Sequence, residues 1–72
     1  MSKIAGYNEW ISPETRIGFI SNCFNNVIYV NQNWPDGDWI NALDLKLDIN
    51  MIKKNCTKGR TFNKEELMLE LL

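Results

Sequence analysis

The stretch RIGFISNCFNNVIYVNQ, residues 16–32, decides the fold, because it reads two ways. As a helix, it follows a good start at Ser12-Pro13-Glu14 and repeats Ile17, Ile20, Phe24 and Val27 at helical spacing. Gly18, Ser21, Asn22, Asn25 and Asn26 are poor helix formers and oppose that reading. As strands, residues 16–24 and 27–33 form two arms joined at Asn25-Asn26. Asparagine tolerates the positive φ that a two-residue hairpin turn requires. The second arm, VIYVNQ, has the β-branched and aromatic content of a strand. The hairpin is the favoured reading.

Beyond it lies NWPDGDW, residues 33–39, with Trp34 and Trp39 flanking Pro35-Asp36-Gly37-Asp38. Proline presets φ, aspartate bonds its own backbone and glycine is expected to take positive φ, so this is a turn between strands. From Leu43 to Met51 apolar residues hold every odd position and Asp44, Lys46, Asp48 and Asn50 the even ones. Such alternation predicts a third strand over 39–47. Asp48 could instead cap a short helical turn through Ile52. At the far end, Asn63 and Glu66 have capping-box spacing, and Phe62 and Leu67 are placed to staple the cap. A helix from Lys64 to about Leu72 would offer Leu67, Met68, Leu71 and Leu72 to a neighbour, and it is too short to stand alone in water. Residues 1–12 support no regular element strongly.

Seventy-two residues allow one domain, 1–72, and a core of that size rarely supplies more than about 3–5 kcal/mol net. At 44% hydrophobic and 11% aromatic, the chain is too apolar for a disordered segment. Its net charge of −1 excludes duplex nucleic-acid binding by bulk electrostatics. With no histidine and two cysteines, Cys23 and Cys56, it lacks a His/Cys zinc site and the usual base for a thiol nucleophile. Cys23, read as part of a strand, is expected in the core. Asp36, Asp38 and Asp44 have no EF-hand spacing. The expectation is therefore a non-enzyme with no cofactor and no metal. No signal-peptide pattern and no apolar run of about 18 residues occur, which points to the cytoplasm and away from membranes. Ten asparagines beside many Ile and Lys suit an AT-rich genome, such as that of a phage or mobile element.

Within residues 16–47, under half of the chain, Gly18, the Val27–Val30 strand, Trp34, Asp36-Gly37 and the leucines from Leu43 to Leu47 occupy characteristic places. In these the sequence resembles the small SH3-like barrels of the Tudor and KOW type. The resemblance implies a non-enzymatic binding module that uses an aromatic cluster, which here could only be Tyr29, Trp34 and Trp39. The expected fold is mainly β: a three- to five-stranded antiparallel meander or small SH3-like barrel, with a C-terminal α-helix at about 64–72.

Two partner classes follow from the charge pattern. Asp36, Asp38, Asp44 and Asp48 crowd one stretch against a single Lys46, beside the tryptophans, and suit a basic protein surface. Trp34, Asp36, Asp38, Tyr29 and Trp39 are the expected partner-binding residues, with Trp34 offered to the partner and Trp39 to the core. The alternative is weak nucleic-acid binding through Lys53, Lys54, Lys58, Arg60 and Lys64, with aromatic stacking. The bland reading of that basic run is a solvated face. A regulator or inhibitor of a host protein is the favoured role, and oligomerisation is left open.

Overall fold

The computed structural model describes residues 6–72, so the first part of the weakly patterned N-terminal stretch lies outside the described residues. The described residues form one five-stranded antiparallel sheet with a helix against each face. The strands are β1 (Tyr7–Ser12), β2 (Ile17–Ser21), β3 (Val27–Asn31), β4 (Ile40–Asn41) and β5 (Thr57–Phe62). Helix α1 (Ile49–Asn55) lies between β4 and β5, and α2 (Lys64–Leu71) follows β5. The sheet order is β4-β3-β2-β1-β5, a four-strand meander whose first strand also takes the last. β4 and β5 stand at opposite ends of the sheet and do not pair.

Period-two alternation divides the sheet's side chains between two small cores. Trp10, Phe19 and Val30 align across β1, β2 and β3, and with Val27 and Ala42 they pack under Ile52 of α1. The adjoining row, Glu9, Ile20 and Tyr29, faces the other way. Ile20 packs there with Phe62 and with Leu67 of α2, flanked by Tyr7, Trp39 and Leu71. A charged residue thus stands in a row otherwise given to the second core.

The hairpin of residues 16–33 is present, but its arms are shorter and its turn longer than the two-residue Asn25-Asn26 link expected. β2 ends at Ser21, and Asn22–Asn26 form the turn. Asn22 Oδ1 accepts from the backbone N–H groups of Phe24 (2.9 Å) and Asn26 (3.0 Å), while Asn25 takes φ 65°. Cys23 therefore sits exposed on a turn and not in the core, because asparagine side chains bond the backbone better there than a further ladder rung would.

The strand expected over 39–47 is the main correction, since β4 has only two residues. Asn41 Oδ1 accepts from the Leu43 N–H, the chain turns through a 3₁₀ segment at Leu43–Leu45, and Lys46 adopts φ 49°. Leu43 and Leu45 are more than half exposed. Asp48 then caps α1 by accepting from the Asn50 N–H at 3.0 Å. Alternation of apolar and polar residues lost to these side-chain caps, and the helical alternative at Asp48 is the one realised.

The C-terminal helix begins as its sequence predicts: Asn63 and Glu66 form the reciprocal capping box, and Phe62 and Leu67 share a core. Its outer side departs from expectation. Met68 and Leu72 are exposed, together with Leu69, while Leu67 and Leu71 do the packing. Among the described residues no helix is long and apolar enough to cross a membrane.

Candidate functional site

The 33–39 loop is built on Asn31, whose side chain is almost fully buried at the end of β3. Its Oδ1 accepts from the Asn33 N–H and its Nδ2 donates to the Gly37 carbonyl, each at 3.0 Å. Gly37 N–H donates to the Asn33 carbonyl at 2.8 Å, and Trp34 N–H to the Arg16 carbonyl at 3.0 Å. The Trp34–Pro35 peptide is cis. Gly37 does not take positive φ; it is required because a Cβ there would fall 2.5 Å from Asn31 Oδ1.

Both tryptophans lean on β2 at Gly18. A Cβ at that position would lie 2.7 Å from Trp34 Cδ1 and 3.0 Å from Trp39 Cη2, so only glycine lets both indoles close on the strand. Each ring is half-buried, so burial alone does not separate a Trp34 offered to the partner from a Trp39 given to the core. Their polar edges converge on one network. Trp34 Nε1 donates to Glu9 Oε2 at 3.1 Å, and Trp39 Nε1 donates to Glu70 Oε2 at 3.3 Å.

Arg60 links the two carboxylates. Its Nη2 lies 2.8 Å from Glu9 Oε2 and 2.9 Å from Glu70 Oε2, and its Nη1 donates to Glu70 Oε1 at 3.1 Å. The arginine's backbone N–H and its Nε each donate to Glu9 Oε1 at 3.1 Å. A β-bulge sets up this geometry. Trp10 pairs with Lys58 and Asn8 with Thr61, so Gly59 and Arg60 together oppose Glu9. The extra residue frees the Arg60 N–H from the ladder and aims its guanidinium at the α2 face. Gly59 is bare for the same reason: a Cβ would sit 2.6 Å from Glu9 Oε1.

Burial of Glu9, 1% exposed, disfavours its charge, but hydrogen bonds from Arg60 and Trp34 outweigh that and hold its carboxyl below the usual value. Hydrogen bonds from Arg60 likewise lower Glu70, and the two carboxylates raise Arg60. The guanidinium remains half exposed, so the network is buried at the Glu9 end and wet at the Glu70 end.

Asp36 and Asp38 project from the loop, exposed and without an ion pair among the described residues. A groove of about 310 Å³ runs between the loop and α2, lined by Pro35, Gly37, Asp38, Trp39, Glu70 and Leu71. Tyr29 lies on the same face of the sheet, partly buried beside Ile20. Asp44 is carried away on the 3₁₀ segment, and the described residues hold no group of three His, Cys, Asp or Glu side chains suited to a metal ion.

The basic residues do not form one surface. Lys53 of α1 lies 5.6 Å from the Trp10 ring centroid and donates to Asn25 Oδ1. Lys58 shares that face through its pairing with Trp10, and donates to Thr61 Oγ1. Lys54 ends α1, Lys64 begins α2, and Arg60 is turned to the opposite face by its carboxylates. Comparison of the chain with protein-family models, curated proteins and solved structures gave no match.

Proposed function

We propose that this chain is a small non-enzymatic protein-binding module that receives a basic segment of another protein on its 33–39 loop. Trp34, Asp36, Asp38, Tyr29 and Trp39 supply the surface. The observation that carries this reading is the contrast within the loop: two exposed carboxylates, unpaired among the described residues, on a backbone tied down by Asn31, Arg16 and both indole N–H groups. A pre-ordered loop loses little entropy on binding, and its charge steers a cationic partner. The half-exposed indoles add the aromatic area that anchors interfaces. The strand order, with β5 returning beside β1, is compatible with a small SH3-like barrel serving as a binding scaffold. The asparagine-rich composition suits an AT-rich genome such as that of a phage or mobile element, and the role proposed with it is that of an accessory protein that regulates or inhibits a host protein.

The second reading, weak binding of single-stranded nucleic acid, draws on Lys53 and Lys58 flanking Trp10, where cations adjoin an aromatic ring. It loses Arg60 to Glu9 and Glu70. One experiment separates the two. The chain is used to capture proteins from host lysate, and binding of the captured protein is titrated against the Asp36→Asn/Asp38→Asn double variant. The first reading expects slower, less salt-sensitive association for the variant at unchanged melting temperature. Unchanged protein binding, together with salt-sensitive retention on a single-stranded oligonucleotide column that Lys53→Ala/Lys58→Ala abolishes, favours the second.

A further inference from the structure

We propose that α2 is a latch for the 33–39 loop, with Arg60 as the positioning residue that couples the two, so that the proposed binding surface is fully ordered only while α2 is docked. The inference rests on the binding reading for its consequence, but its physical content stands without a partner. Trp39 is fixed at its polar edge by Glu70, a residue of α2. Glu70 is held in place by two hydrogen bonds from the guanidinium of Arg60. The same guanidinium, through Nη2, holds Glu9, and Glu9 accepts from Trp34. One planar fork thus sets the acceptors of both indoles that bracket Asp36 and Asp38. Lysine, a point charge without the fork, cannot serve both acceptors in this geometry.

The latch is suited to opening. α2 has eight residues, and it docks through Leu67 and Leu71 with Met68, Leu69 and Leu72 left in water. A helix of this length has little stability apart from its packing, so its release is a local event below global unfolding. Release removes the acceptor from Trp39 and the Leu71 packing beside it, and widens the groove in which Asp38 stands. Coupling of this kind is reciprocal: whatever orders the loop must also favour the docked helix.

Native-state hydrogen exchange on the full chain tests this without any partner. The amides of Asn33, Trp34 and Gly37 report the loop, since each donates a hydrogen bond that holds it. The amides of residues 67–71 report α2, and those of β2 and β3 report the sheet. Glu70→Gln should raise exchange at the loop amides by about tenfold, the factor expected for one lost charge-assisted hydrogen bond, with the sheet amides unchanged. Arg60→Lys also strips hydrogen bonds from buried Glu9 and should raise exchange in loop and sheet together. Trp39→Phe removes the loop's donor to Glu70, together with the outer ring that packs on Gly18, and should speed exchange in α2 with the sheet amides unchanged. Loop exchange unaltered in Glu70→Gln, or α2 exchange unaltered in Trp39→Phe, overturns the latch. A uniform rise across loop, helix and sheet in Glu70→Gln overturns it too, because Glu70 would then be a global stabiliser and not part of a latch. Failure of the Asp36/Asp38 variant to alter partner binding, with the exchange coupling intact, would count against the binding surface alone.

Discussion

Glu9 is a carboxylate taken out of water in the middle of a sheet face, where an unpaired charge would cost several kcal/mol. It accepts four hydrogen bonds, three from Arg60 and one from Trp34. Replacing it by Gln keeps the shape but forces an amide N–H₂ against donors, and should destabilise the chain by roughly 1.5–3 kcal/mol in urea unfolding. The pH dependence has a definite sign. Glu9 and Glu70 titrate lower in the folded chain than in the unfolded one. Their contribution is therefore complete above the unfolded carboxylate value, near 4.3, and is lost as pH falls through the folded values. Unfolding midpoints followed from neutral pH into acid should fall for the wild type and fall less steeply for Glu9→Gln; parallel curves would contradict this. Gly18 makes a second residue-scale case. Its alanine variant drives a methyl into two rigid indoles and should cost about 1–3 kcal/mol by overpacking. At this scale Gly18 stood out in the sequence as part of a strand-and-turn pattern, whereas Glu9 did not, because a lone acid between Asn8 and Trp10 reads as a solvated residue.

Elements were legible where local chemistry governs them. Asn63 and Glu66 announce α2 because both halves of the capping box lie within one turn. Asn63→Ala should destabilise by roughly 0.5–2 kcal/mol, read as a lower melting temperature with loss of protection concentrated in residues 64–71. The β2–β3 hairpin was legible for the same reason, since Asn25 supplies the positive φ the turn needs. β4 was not. The alternation from Leu43 to Met51 describes a strand that the side chains of Asn41 and Asp48 cut off at both ends. β1 and β5 escaped notice because their pairing is decided across the length of the chain. Their bulge leaves Gly59-Arg60 opposite Glu9, and a polar, basic edge strand shows no apolar alternation. The 53–64 basic run therefore read as a surface face, although one of its cations is the hub of the fold.

At the scale of the whole molecule, a thin sheet is covered by α1 on one face and α2 on the other, and neither core is large. Glu9 and Arg60 lie 51 positions apart and Arg60 and Glu70 ten apart, so no window of sequence displays the network that joins them. The loop residues Trp34, Asp36, Asp38 and Trp39 were visible as a group, and what holds them was not. Arg60 fixes both loop tryptophans through two carboxylates. The chain's three tryptophans test it directly, because Trp10 donates instead to Ser21 Oγ at 2.9 Å and serves as an internal reference. The decisive measurement is solvent exchange of the three indole N–H protons by NMR, in the wild type and in Arg60→Lys. Exchange should be slow for all three in the wild type and, in the variant, faster for Trp34 and Trp39 with Trp10 unchanged. Freely exchanging Trp34 and Trp39 indoles in the wild type, or an Arg60→Lys variant that leaves both as they were, would contradict it.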